Sequence, residues 1–506
     1  MNHIKNIEKL EKFPNDIDLF KTSISTLEFA LKSVDPGILI KNALSLDKKS
    51  NILHVKDTKE NILNIKLDYF DSIHLFGAGK ATAKMTDKVI SIIGYKKIGQ
   101  SAINIPYDER IIPKDVAVTE AAHPIPDINS IKGTRVIIDG LKKIQKKSLV
   151  FILISGGASS LLCCPKEGLS LKNKQEINKL LLKSGASIHE INIVRKHLSD
   201  VKGGQLLKYI NREEMSKKNH NDIRIKQQDA SNTVIVTLIL SDVVGDDLNI
   251  IGSAPTVGDN SNYEDAIKIL KKYKIWNLNN TLLEEIKKIL INGKNGILEN
   301  LPKKSSYIFN NVHNILVGNN EVACNAACLI LRQNNFKVNY LGSNFELEAV
   351  DLGKKLSELV IKNRTTNEQQ PVAYVLGGES VVKMDINLNG KKGLKKNKKT
   401  KIGKGGRNQV AVLNSLKLLK DMDKDKIVNE FCILSCGTDG IDGNSDAAGA
   451  LITSKTVQYL RSHPEIKLEK YLKEHDSNSI LKILNSIIIT GRTGTNVNDI
   501  SIVCCK

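Results

Sequence analysis

At 506 residues and 41% hydrophobic content, the chain is long enough for two or three domains with sizeable cores, which excludes a single small binding module. Its formal charge of +20 raises nucleic acid as a partner, yet much of the excess sits in aromatic-poor runs such as GKKGLKKNKKTKIGKGG, which read as solvated loop, and no nucleic-acid partner is expected. The N-terminal MNHIKNIEKLEKFPND lacks the apolar centre of a secretory signal, and no apolar run reaches the roughly 18 residues that span a bilayer, so a cytoplasmic protein without a membrane partner is expected.

Short apolar, β-branched runs alternate with glycine-rich turns and segments of helical spacing, the pattern of an α/β protein with mostly parallel strands. In chain order, strands are predicted at 72–77, 149–155, 234–242, 315–318, 372–379, 431–440 and 486–491. They show little alternation, as expected of strands covered on both faces. Helices are predicted at 81–93, 131–147, 172–187, 320–333 and 348–361. Residues 211–232 and 386–404 are polar and aperiodic and read as surface insertions. The segment 261–312, which carries Trp276, reads as a helical connector between an N-terminal domain at 16–260 and a C-terminal one at 313–506. The 8 cysteines form no CxxC pair and lie mostly in apolar stretches, so buried thiols are expected.

Six of the seven predicted strands run directly into small, polar or charged residues. In open α/β sheets ligands bind outside the carboxyl ends of the strands, so these loops are expected to line a cleft. GAGKA is neither a P-loop, since His74 stands where the first glycine would be, nor a dinucleotide fingerprint. The acids of GTDGIDGNSD lack EF-hand spacing.

In order, GAGKA, AAHPIPD, SGGASSLL, NIVRKHLSDVKGGQL, LILSDVVGDDLNIIGSAPTVGD, VGNNEVACNAA, LGGES, GKGGRNQ, CGTDGIDGNSDAAGAL and TGRTGTNVNDI resemble the glycerate kinase family whose C-terminal part is the MOFRL domain. The resemblance runs from about residue 18 to 503 outside the two insertions, and departs from the family pattern where SGGASS, SAPT (with Ala254) and TGRTGTN (with Arg492) replace glycine- or proline-richer forms. It implies two α/β domains facing a central cleft, ATP and Mg²⁺ as co-reactants, and D-glycerate as phosphoryl acceptor, with the oligomeric state open between monomer and homodimer.

Phosphoryl transfer needs its equatorial charge neutralised, a metal on the nucleotide phosphates and a held acceptor. On that basis Lys80 and Arg407 are the expected catalytic cations and Glu379 the group orienting the acceptor hydroxyl. Asp242 and Asp439, at strand ends, are the expected Mg²⁺ ligands. Ser155, Gly156, Gly157, Ser159, Ser160, Arg195 and Lys196 are expected to hold glycerate. Asn320, Gly405, Gly406, Asn496 and Asp499 are expected on the nucleotide side. Lys80 and Arg407 are expected to stabilise one charge and to be dispensable for folding. The rival readings are a nicotinamide-dependent hydroxypyruvate reductase, which would need the missing fingerprint, and a basic nucleic-acid binder.

Overall fold

The computed structural model describes residues 3–10, 17–107, 109, 111–210, 233–278, 282–364, 370–382, 403–423, 427 and 430–506. The expected insertion at 211–232, and all but the last two residues of that at 386–404, lie outside this set. The chain divides into two compact units, one of Met1–Asp35 with Asn319–Lys506 and one of Pro36–Gly318.

The chain begins with one turn, α1 (Ile7–Leu10), and a long helix, α2 (Ile17–Ser33). In the Pro36–Gly318 unit, α3 (Pro36–Ala43) leads into a small antiparallel sheet of β1 (Leu44–Asp47), β2 (Ile52–Lys56) and β3 (Ile62–Lys66). Then follow β4 (Ser72–Ala78), α4 (Thr82–Ile93), β5 (Ala102–Pro106), β6 (Ala117–Ala121), α5 (Ile128–Lys142) and β7 (Ser148–Ile154). After these come α6 (Ala158–Leu161), α7 (Leu171–Lys183), α8 (Ile188–His197), β8 (Val234–Leu240), α9 (Tyr263–Lys272), α10 (Leu282–Lys294) and β9 (Val312–Gly318). Strands pair in the order β6-β5-β4-β7-β8-β9, every pairing parallel. The sequences SLVFILI and VIVTLIL are buried at every position, which is why they read as continuous apolar runs.

The segment 261–312, expected as a connector, groups with the Pro36–Gly318 unit. Tyr263, Leu270, Ile286 and Leu290 pack with Leu169, Ile177, Leu181, Val194 and Leu198 into one core inside the Pro36–Gly318 unit. Burial of the apolar faces of α9 and α10 against α7 and α8 fixes them there, at about 25 cal/mol per Å² of apolar surface removed from water.

The other unit adds α11 (Asn320–Gln333), β10 (Lys337–Tyr340), β11 (Phe345–Glu348), α12 (Ala349–Arg364), β12 (Val372–Val381), α13 (Arg407–Asp421) and β13 (Phe431–Gly437). It ends with β14 (Gly449–Thr453), α14 (Ser454–Ser462), α15 (Leu468–Lys473), α16 (Ser477–Ile483), β15 (Ile487–Ile488) and β16 (Asp499–Cys505). Its sheet has the order β10-β12-β16-β13-β14-β15, with β11 also on β12. Only β10 and β11 run parallel to β12; the remaining pairings are antiparallel. Mostly parallel pairing therefore describes the first sheet, while the second is mixed. β16 lies antiparallel between β12 and β13, a reversal that apolar runs alone do not encode. The helix α2 packs on α11, β13 and β16, so this early helix belongs to the same unit as the last strands.

All eight cysteines are free thiols, seven of them buried and Cys164 half-buried. No helix among the described residues is long and apolar enough to cross a membrane.

Candidate active site

In the Pro36–Gly318 unit, the carboxyl ends of β4, β7 and β8 lead into the loops carrying Lys80, Ser155–Gly157 and Asp242. The Lys80 N–H donates to the Gly156 carbonyl at 2.8 Å. The Ser155 hydroxyl accepts from the Ala81 N–H at 3.0 Å, which ties the two loops together at the start of α4. Gly156 packs closely on Asp242: a Cβ at this position would lie 2.4 Å from Oδ2 of Asp242, so that side chain would have to shift. Gly157, with φ of 86°, precedes α6, in which the Ser160 hydroxyl donates back to the Gly157 carbonyl at 3.0 Å. Burial, and then the Lys80 charge, push His123 down to about 4, so its ring is neutral at physiological pH.

These loops open on a cavity of about 330 Å³ whose far wall is helical. Ser170 caps α7, and a capping box of Ser187 and Glu190 starts α8; such caps are worth about 1 kcal/mol each. With the helices so fixed, Lys174, Asn178 and Leu182 line the cavity from one face of α7, and Ile188, Asn192 and Arg195 from one face of α8. Arg195 donates from Nε to Oδ1 of Asn178 at 3.0 Å. Lys196, one residue and about 100° further round the helix, faces away. Its ammonium is buried in an ion pair with Asp259 at 2.5 Å, and it is not among the residues that line the cavity.

The cavity also contains residues that lie within the quoted motifs but were given no role from the sequence. Lys202, 1% exposed, donates to the Ser159 carbonyl at 2.8 Å. The Ser159 and Ser253 hydroxyls are 2.9 Å apart, and Ser253 donates to Oδ1 of Asn192 at 3.0 Å. Ser253 sits in a left-handed stretch, with φ of 58°, 63° and 58° at Gly252, Ser253 and Ala254. Ala254 thus occupies the strained backbone region that the glycine of the family pattern would adopt at no steric cost. A signal for this wall was present in the sequence: 174, 178, 182 and 188, 192, 195 keep helical spacing. Lys202 and Ser253 have no such signature, because each reaches the cavity from an irregular loop. A larger concavity of about 730 Å³, lined by Lys208, Tyr209, Glu299 and Tyr307 among others, gathers none of the motif residues.

In the other unit the motif residues form a closed polar network. Arg407, the first residue of α13, meets Oδ2 and Oδ1 of Asp499 at 2.7 and 3.0 Å and Oε1 of Glu379 at 2.5 Å. Asp499 is fully buried; burial pushes its carboxyl up to about 6, with the Arg407 charge acting against the rise. Arg407, expected as a catalytic cation, lies here as the counter-charge of a buried acid. The N-terminus of α13, which follows the Gly405 and Gly406 expected on the nucleotide side, is capped from within the chain. Asp442 accepts from the Asn408 and Gln409 N–H groups at 3.1 and 2.9 Å. Gly406 permits this approach, since a Cβ there would lie 2.3 Å from the Asp442 carbonyl carbon. The Gly405 N–H donates to Asn444 at 2.8 Å.

Asn320 is buried and donates to the carbonyls of Val497 and Asp499 at 2.7 and 2.8 Å, fixing backbone. Asn496 accepts from the Asn498 N–H at 3.2 Å, and Asp439 from the Ile441 N–H at 3.1 Å, both within turns.

Residues 24–218 and 227–289 match the domain of unknown function DUF4147, and residues 372–499 match the MOFRL family. The chain is 34% identical over 488 residues to a glycerate 2-kinase of Pyrococcus horikoshii, covering 96% of this chain and 97% of that one. A crystal structure described as glycerate kinase from Thermotoga maritima superposes with a TM-score of 0.75 at 31% identity, covering 97% of this chain and all of that one. A putative hydroxypyruvate reductase of Agrobacterium vitis is 32% identical over 429 residues, 84% of this chain and 97% of its own.

Proposed function

Since the chain belongs to the two-domain DUF4147 and MOFRL family, and resembles glycerate 2-kinases in sequence and fold, we propose that it is an ATP-dependent kinase that phosphorylates D-glycerate, with 2-phosphoglycerate as product and Mg²⁺ as co-reactant. The observation that carries this reading is the charge of the cavity in the Pro36–Gly318 unit. Lys174, Arg195 and Lys202 line it, each held by a neutral oxygen, and none has a carboxylate partner among the described residues. Asp242 is the one acid in its lining. Buried cations without counter-charges make a ready receptor for an anion of the size of glycerate.

Arg195 would grip the carboxylate, and Lys80, at the rim beside His123, would neutralise charge on the transferring phosphoryl group. Among the described residues no three His, Cys, Asp or Glu side chains are arranged to hold a metal ion. That suits Mg²⁺, which needs one or two carboxylates when phosphates supply further oxygens. Asp242, in the lining of the cavity, would provide one of them, and the ion would neutralise phosphate charge when bound.

The test is ADP release in a coupled assay with D-glycerate, L-glycerate, hydroxypyruvate and tartrate as acceptors. Turnover with D-glycerate above the others supports the reading, and none with any acceptor overturns it. The name of the Agrobacterium relative keeps a second reading open, reduction of hydroxypyruvate; NADH oxidation with that substrate would establish it.

A further inference from the structure

Lys202 belongs to a cluster rather than to a pair. Its ammonium lies under the turn after Gly157, within 2.8 Å of the Ser159 carbonyl and 3.4 Å of both the Ser159 hydroxyl and the Leu162 carbonyl. The charged and titratable groups facing it are Lys174 from α7, Arg195 and Lys196 from α8, and Cys163 from the end of the same turn. Lys196 is neutralised by Asp259 and nearby Lys166 by Asp200, whose charge also acts on Lys174, and neither acid lines the cavity. His123, neutral, and Asp242 complete the ionisable lining. Burial, and next the Lys174 charge, push Lys202 down to about 7. Lys174 and Arg195 are also shifted down, chiefly by burial. Three cations packed together without counter-charge raise one another's free energy, and an incoming carboxylate relieves that repulsion.

We propose that Lys202 is the positioning and specificity residue of the acid site: it fixes Ser159 beneath the bound hydroxy acid and takes up a proton from solvent when the carboxylate arrives. Ser159 in turn orients Ser253 and Asn192, so the charge of one buried lysine is transmitted to the wall that the acid touches. No bond is made or broken in the protein beyond N–H formation at Nζ. The linkage sets a direction. Affinity for the acid is greatest where Lys202 is already protonated and falls as pH rises through about 7 toward 9. The proposal rests on the assignment of this cavity to the acceptor acid.

The experiment is isothermal titration of the full-length protein with D-glycerate at pH 8, in two buffers of different ionisation enthalpy. The wild-type protein should take up most of a proton per acid bound. Lys202→Met should bind roughly tenfold or more weakly without proton uptake, and should raise KM for glycerate while leaving KM for ATP unchanged. Lys202→Arg, charged at every pH, should recover affinity and still take up no proton. Glycerate binding to the wild-type protein without proton uptake, or equal uptake by Lys202→Met, overturns the role of Lys202 alone. Absence of glycerate binding to the wild-type protein overturns the acceptor assignment together with it. The wild-type measurement decides even if both variants fold poorly.

Discussion

Arg407 and Lys202 are both cations in motif loops, and their surroundings differ in kind. Arg407 meets two carboxylates, one of them fully buried, and closes a network with Asn408, Asp442 and Ser435. Lys202 meets only neutral oxygens, and its charged neighbours Lys174 and Arg195 share its sign. The first arrangement satisfies its own charge and holds architecture together. The second has no carboxylate partner among the described residues, the feature on which the proposed acid site rests. A motif cation cannot be assigned a role from its type, only from what already neutralises it.

The largest expected effect separates the two arrangements by stability. Arg407→Ala leaves Asp499 buried and uncompensated, which should cost about 3 kcal/mol or more in denaturant unfolding. A melting temperature unchanged by Arg407→Ala would dissolve the contrast. If turnover is normal at a temperature where the variant stays folded, Arg407 is confined to architecture.

The next effect is on catalysis. Lys80→Ala and Arg195→Ala should each lower kcat/KM by roughly 10²-fold, the scale of one preorganised electrostatic donor, with little change in melting temperature. Wild-type kinetics in either variant would remove that residue from the site.

A smaller effect is read against pH. The folded-state value of Lys202, about 7, lies below that of the unfolded chain, near 10.4, so between these values the unfolded state binds the extra proton. Stability should therefore rise with pH across that window and be lowest below pH 7, where the buried lysine is charged. Lys202→Met should flatten the rise, as seen in urea midpoints taken from pH 6.5 to 9.5. An equal slope in the variant would place the linkage elsewhere.

The smallest effect is local. Ala254→Gly should stabilise by about 0.5–1 kcal/mol, because glycine takes a φ of 58° without the Cβ clash, less its larger loss of chain entropy. A destabilised Ala254→Gly variant would mean that the methyl group packs well enough to outweigh the strain.

The sequence revealed more of the folds than of the chemistry. Strands such as β7, β8 and β13 announce themselves because covering both faces demands unbroken apolar runs. The short strands β10 and β11, and the whole sheet of β1 to β3, lack that demand and escaped notice. β16 escaped because it opens on a charged residue, and Asp499 is tolerable there only because Arg407 covers it. That partnership depends on register: Asp499 stands opposite Gly378, beside Glu379 on β12, a pairing that spans more than a hundred residues of chain. In the lining of the cavity, Ser159, Arg195 and Asp242 were singled out from their motifs, whereas Lys202 and Ser253, inside motifs as well, reach it from irregular loops that spacing does not mark.

The placement of β16 has a consequence for the order in which the two units assemble. This strand is hydrogen-bonded on both sides, to β12 and to β13, so the two halves of its sheet are joined only by a segment that follows both of them in the chain. The helix α2 packs on α11, β13 and β16, so it too must wait for partners several hundred residues away in sequence. The Pro36–Gly318 unit is one continuous stretch of chain and closes no loop of that length. Because distant contacts are slow to form, the unit built around β16 should acquire its protected amides after the other during refolding.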